Sequence, residues 1–163
     1  MERGDARSRP AHDLERLFHE EAPGIWRALF AYTGGSREIA DDALAEAFAR
    51  AIANGTPIRR PVPWLYAVSF RIAAAELRRR RRTTGEVVDA PTVDAPEVAP
   101  VIDALRQLSP NQRAAIVLFY EVDLPVAEVA RRLGISSATA RVHLHRGRNR
   151  LRELLGSEEV DEP

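Results

Sequence analysis

The stretch Val126–Arg146, VAEVARRLGISSATARVHLHR, decides how the chain folds. Ala130 stands where two helices must approach closely, so its small side chain is required there. Gly134, four residues on, suits the left-handed turn that joins the two helices. Ile135 plugs that turn, and Ser136 supplies the oxygen that caps the next helix. Beyond the cap, Ala140, Leu144, Gly147, Leu151 and Leu155 recur at spacings of four, three, four and four. That period predicts one buried face. Arg141, His145, Arg148 and Arg152 then point outward, with Val142 beside them near the N-terminal end. A second helix of this kind presents its first outward residues to base edges in the major groove. A basic helical hairpin with a solvated face would share the turn. The run from Arg141 to Arg152, with five arginines, two histidines and no acid, favours DNA.

Upstream, Ser109-Pro110 predicts a helix start with proline at its first position, and Ala114, Val117, Leu118 and Tyr120 follow. Pro125 opens the helix that ends at Gly134. Before these, Thr83–Pro100 (TTGEVVDAPTVDAPEVAP) has three prolines, no aromatic residue and no helical period, which reads as an extended linker. It parts an N-terminal module, residues 11–82, from a C-terminal one, residues 101–156. Residues 1–10 and 157–163 read as disordered ends. In the N-terminal module Leu14, Leu17 and Phe18 form one apolar stripe; Ile25, Trp26, Leu29 and Phe30 form another beyond Pro23. Gly34-Gly35 is a break, and Ser36 is the expected N-cap of a helix burying Ile39, Ala43, Leu44, Ala47, Phe48 and Ala51. Thr56–Pro63, with prolines at 57, 61 and 63, reads as a loop. A last helix is expected from Trp64 to Arg82, with Leu65, Val68 and Ile72 inward. The fold class is therefore all-α, two small helical domains on a flexible linker.

The 163 residues carry 24 basic and 24 acidic side chains, a net charge of zero, but the signs come in blocks. Residues 11–50 hold eight acids against four arginines, and residues 51–82 hold eight arginines against Glu76 alone. Residues 83–104 hold five acids (Glu86, Asp89, Asp94, Glu97, Asp103) and no base. Such blocks predict separate surfaces for separate partners. All 24 basic residues are arginine, which suits phosphate and guanine contacts and is equally the mark of a GC-rich genome. No cysteine is present, and no two of the four histidines have the i, i+4 spacing of a metal pair, so neither cofactor nor metal is expected. No nucleophile–base set or phosphate loop is visible, which argues against an enzyme or a small-molecule substrate. The absence of a signal-like N-terminus and of a span of 18 apolar residues predicts a cytoplasmic protein with no membrane contact.

The C-terminal module resembles region four of the extracytoplasmic-function (ECF) sigma factors of RNA polymerase. The residues that carry this are Leu108-Ser109-Pro110, Arg113–Tyr120, Val129-Ala130, Leu133-Gly134-Ile135, Thr139, Arg141, Leu144, Arg146 and Arg148. The N-terminal module resembles region two, through Ala40-Asp41-Asp42-Ala43-Leu44 with Glu46 and Phe48, through Trp64-Leu65-Tyr66, and through Leu77 with Arg78–Arg82. The likeness covers nearly the whole chain in the expected order. It implies core polymerase binding through the β′ clamp helices, by Asp41, Asp42, Glu46 and Phe48, and through the β flap. It implies −35 recognition by Ser137, Thr139, Arg141, Val142, His145, Arg146 and Arg148. It implies −10 recognition by Arg59, Arg60, Trp64, Phe70, Arg71, Arg78, Arg79 and Arg81. An anti-sigma factor is a further implied partner, and the acidic linker matches the segment that family members thread towards the polymerase active-centre cleft. The sequence departs from the family pattern at Arg71, where a base-reading asparagine is common, and at Ala75, where an acid is common. It departs again at Ala45, Val142 and His143. Two other readings fit the same residues: a stand-alone helix-turn-helix regulator, and a degenerate sigma-like protein that binds polymerase or an anti-sigma factor without opening promoters.

Several residues keep two readings. Glu46 either docks with Asp42 or pairs with Arg50 one turn on. Arg78–Arg82 either bind phosphates or form a solvated helix end. Trp64 and Tyr66 either stack on unpaired bases or belong to the core. The Thr56–Pro63 loop either holds a flipped base or is a connector.

Overall fold

A computed structural model describes residues 8–84 and 93–156. They form seven α-helices: α1 (Ser8–Tyr32), α2 (Arg37–Ala53), α3 (Pro61–Thr84), α4 (Ala99–Arg106), α5 (Pro110–Ile116), α6 (Val126–Leu133) and α7 (Ser137–Leu155). There is no strand among the described residues. The helix stops follow from local chemistry. Ser36 accepts a hydrogen bond from Ile39 N to start α2, and Ser109 and Gln112 form a reciprocal capping box at α5 with Pro110 behind it. Gly34 and Gly35, at φ 71° and 89°, make the left-handed corner between α1 and α2.

Four features depart from the sequence expectations. Helix α1 runs unbroken through Pro23, although proline in a helix interior costs about 3 kcal/mol. Ala22, Ile25, Leu29 and Tyr32 continue one buried stripe across it, and the proline ring sits on the exposed side. Burial of that stripe outweighs the lost hydrogen bond. Helix α3 starts at Pro61 rather than Trp64, because prolines are tolerated in a first turn where backbone N–H groups have no helical partner. Likewise α4 begins at Ala99 with Pro100 in its first turn, and α3 extends to Thr84. The expected linker thus has helix at both ends, and the acids Glu86 and Asp89 lie outside the described residues. Finally, α5 passes into a π-helical turn, Val117–Glu121. The wider turn keeps Val117 and Leu118 buried and turns Tyr120 outward.

Helices α1–α3 build one core around Ile25, Leu29, Ala43, Ala47 and Leu65; α4–α7 build another around Ile102, Leu105, Ile116, Val129 and Leu144. The two bundles touch. Ala114 and Val117 bury themselves in the first core. Arg106 Nε donates to the Gly34 carbonyl at 2.6 Å, Arg132 Nη1 to the Pro63 carbonyl at 3.1 Å, and Arg27 pairs with Glu121 at 3.2 Å.

Gly147 shows how closely α7 packs on α5. A Cβ there would lie 2.9 Å from Ile116 Cγ1. Gly147→Leu is expected to cost about 1–3 kcal/mol by overpacking, read as a lower urea midpoint with unchanged slope. An unaltered midpoint would mean α5 and α7 are free to part.

Candidate nucleic-acid interface

The turn before α7 is built as the sequence implies. Gly134 adopts φ 67°, ψ 33°, and the Ser136 side chain accepts from Thr139 N at 3.1 Å. The Ser136 and Thr139 hydroxyls are 2.9 Å apart, so Thr139 takes part in the cap itself. Ala140, Leu144 and Gly147 are buried. Arg141, His145 and Arg146 are exposed and Val142 is 45% exposed, while Ser137 and Arg148 are half-buried. Arg141 and Arg146 make no hydrogen bond or ion pair among the described residues. Other side chains on this helix are engaged. His145 Nε2 lies 3.2 Å from the Asn149 amide, Arg148 reaches the Tyr120 hydroxyl at 3.5 Å, and Arg150 pairs with Glu153 at 3.0 Å. Unengaged cation is thus concentrated in the first half of α7.

On α3 the arginines sort into two groups. Arg79 binds Glu76 through two hydrogen bonds, 2.8 and 2.6 Å, and Arg80 bridges Glu76 at 2.8 Å and Glu38 at 3.0 Å. The hydrogen bonds from Arg79 and then Arg80 hold the Glu76 carboxyl down at about 2. It therefore stays ionised at any physiological pH, and the cluster ties α3 to α2. Arg71, Arg78 and Arg81 are exposed and make no hydrogen bond or ion pair among the described residues. Arg79 is thus committed where Arg78 is not, because Glu76 stands one turn before it on the same helix.

Phe70 stacks on Tyr32 with centroids 5.0 Å apart, which fixes its ring inside the protein's own packing. Trp64 is half-buried against the first core, and Arg59 and Arg60 are exposed in the preceding loop. Ser69 is fully buried and donates to the Tyr66 carbonyl at 3.1 Å.

The acidic helix α2 is also differentiated. Asp41 accepts a 2.7 Å hydrogen bond from Trp26 Nε1, and Glu46 pairs with Arg50 at 2.7 Å. Asp42 is exposed with no partner among the described residues. Phe48 is 6% exposed, its ring edge-on to Phe18 at 5.0 Å, so it supports α2 from within. Among the described residues no cluster of His, Cys, Asp or Glu could hold a metal ion, and no helix is long and apolar enough to cross a membrane.

Two arginines escaped the sequence reading. Arg132 reaches from α6 to the Pro63 carbonyl, and Arg113 is largely buried with its Nε lacking an acceptor. Burial holds the Arg113 guanidinium below its usual range, with the Tyr32 hydroxyl opposing this and Arg81 and Arg106 adding to it. The only sequence signal for Arg132 is its position three residues after buried Val129.

Comparison with known proteins bears on this arrangement. Residues 99–151 match the family model for sigma-70 region 4. The RNA polymerase sigma factor CarQ of Myxococcus xanthus is 31% identical over 161 residues, covering 91% of this chain and 92% of that protein. The chain belongs to the ECF RNA polymerase sigma factors. Another relative, the ECF sigma factor BldN of Streptomyces coelicolor, is 29% identical over 92% of this chain and 63% of its own length. The fold agrees with that of the Bartonella quintana sigma factor RpoE, solved with the anti-sigma factor NepR. That likeness has a TM-score of 0.74 at 20% identity and covers 90% of this chain and 99% of that one. As an ECF sigma factor, the protein binds core RNA polymerase and directs promoter-specific initiation of transcription.

Proposed function

We propose that the two sets of unengaged arginines divide the promoter between them. Arg141, with His145 and Val142 beside it, reads base edges of the −35 element, and Arg146 meets the neighbouring phosphates. Arg71, Arg78 and Arg81 hold the backbone of the −10 element, and Trp64 offers a ring beside it. The observation that carries this reading is the charge sorting: these arginines have no partner among the described residues, while Arg79, Arg80 and Arg150 are neutralised by carboxylates. Asp42 marks the docking face for the polymerase clamp helices, and the flap contacts the α4–α7 bundle. The protein supplies recognition and no catalytic step, acts in the cytoplasm, and is held in check by an anti-sigma factor.

Elements centred at −35 and −10 are separated by roughly 85 Å of duplex, at 3.4 Å per base step. A compact chain of 163 residues has a radius of gyration of about 15 Å, or ~40 Å across. The two bundles are therefore separate domains that part on polymerase, exchanging the Arg106, Arg132 and Arg27 contacts for polymerase and DNA.

Run-off transcription with core polymerase on the promoter of the protein's own gene tests the whole reading. A transcript of defined start supports it; polymerase binding without a transcript assigns a degenerate, non-opening role instead. A finer test uses salt. Arg78→Ala and Arg81→Ala are each expected to flatten the log–log salt dependence of promoter binding by roughly one unit. Arg79→Ala should leave the slope nearly unchanged, since Glu76 already neutralises that side chain. Equal slopes for all three variants would return the run to a solvated helix end.

A further inference from the structure

Between the bundles lies a groove of about 330 Å³, walled by Arg71, Arg78 and Arg81 of α3 and by Arg132 of α6. No carboxylate lines it. The nearest acids sit at its margins: Glu21 and Glu121 act on Tyr66, and Glu128, near Arg132, is paired with Arg131 at 2.7 Å. Four arginines thus line one small space. Arg132 has only a backbone carbonyl to bind, and the other three have no partner among the described residues. Behind Tyr32, the Arg113 guanidinium adds further cation whose Nε has no acceptor. Such an arrangement is completed by an anion, and guanidinium forks match phosphate oxygens in geometry as well as charge. The rest of the wall is largely apolar, with Ala67, Ala74, Leu118 and Leu133 beside Tyr66, Phe70 and the buried Tyr32. The half-buried Tyr66 ring can accept a nucleobase, and the volume falls in the range of small-molecule sites at domain interfaces.

We propose that this groove binds a polyphosphate chain, free or carried on a nucleoside, and that the bound anion holds the two bundles together. Arg71, Arg78 and Arg81 come from one bundle and Arg132 from the other, so the complete site exists only in the docked form. Ligand binding is therefore linked to docking: at a hundred times the dissociation constant, the docked population rises roughly 100-fold over the open one. The same arginines of α3 are the ones assigned above to promoter phosphates, so ligand and promoter compete.

The experiment is calorimetric titration of the full chain, without polymerase or DNA, with inorganic tripolyphosphate in one arm and ATP in the other. One saturable site is expected, with affinity falling tenfold or more in Arg132→Gln and in Arg71→Gln. An exposed arginine outside the lining and outside the DNA interface, Arg16→Gln, should bind as the parent does. Tighter binding of ATP than of tripolyphosphate places the base on the Tyr66 ring; equal binding assigns the phosphate chain alone. A fluorescence pair at exposed Ile52 and Glu153 should report a more compact population on addition of ligand. Absence of saturable binding in both arms overturns the proposal, as does full retention of affinity in both groove variants when circular dichroism shows their helicity intact. Binding of a single-stranded oligonucleotide but of neither probe also overturns it and makes the groove part of the DNA path. Because the titration contains no promoter, its failure leaves the transcription reading standing.

Discussion

Replacing Asp42 by arginine is expected to weaken capture of core RNA polymerase by roughly 30-fold or more, with helix content unchanged. Asp42 is exposed on α2 and is the carboxylate there that neither Trp26 nor an arginine engages. Its substitution breaks no described contact of the free protein, so stability should move by only a few tenths of a kcal/mol. A charge that meets an oppositely charged partner surface is worth about 2–5 kcal/mol when its pairing is destroyed, which sets the expected size. Glu46→Arg is the internal comparison. Its carboxylate is already neutralised by Arg50, so reversal should cost less in binding and should repel Arg50 within the helix. The measurement is immobilised-polymerase binding of both variants, alongside circular dichroism. Parent-like affinity in Asp42→Arg would remove the docking role from this face of α2.

The second large effect concerns sequence reading. Arg141→Ala is expected to lower affinity for the −35 element by about 1–3 kcal/mol and to relax preference at one or two base pairs, as loss of a bidentate guanine contact does. Arg141 sits in the second turn of α7, exposed and without a partner among the described residues, directly after the Ser136 cap that fixes the helix start. Arg146 is the control for general attraction. It is equally unengaged but further along the helix, so its loss should weaken all sequences alike. Arg150 cannot serve in that place, since Glu153 and Gln107 already hold it. Both variants should be measured against a panel of single-base changes in the −35 element at fixed salt. A uniform loss across the panel for Arg141→Ala would make it a phosphate contact and shift the register of the recognition helix.

These two predictions rest on different kinds of information. The placing of Arg141 was legible in the sequence, because everything that positions it is local. Gly134 must take the left-handed turn, Ser136 must cap four residues before Ala140, and the Ala140–Leu144–Gly147 spacing selects the buried face. The corner at Gly34-Gly35 and the starts at Ser36 and Ser109 were readable for the same reason: a cap is satisfied by a backbone N–H three residues away. The family likeness added what these signals are for.

The choice of Asp42 over Asp41 was not legible, whereas Arg79's partner Glu76 and Glu46's partner Arg50 lie within one turn on their own helices. Asp41 and Asp42 are alike in the sequence, and only the approach of Trp26 from α1, fifteen residues away, gives the exposed Asp41 a hydrogen-bond partner. The long-range pair Arg80–Glu38 shows the same dependence on α2 lying beside α3. Continuity of α1 through Pro23 was likewise decided by burial against α2 and α3, a gain that outweighs a local penalty. The groove is the extreme case. Its four arginines come from two helices, with Arg71 and Arg132 61 residues apart, each unremarkable on its own helix. The sequence by itself determined where helices stop and which way their nearest side chains point, because those choices are settled within a turn or two. Only the tertiary structure decided which groups meet across helices, as Trp26 meets Asp41 and Arg80 meets Glu38, and which arginines gather around one groove, because those arrangements depend on atoms that the fold brings together from distant parts of the chain.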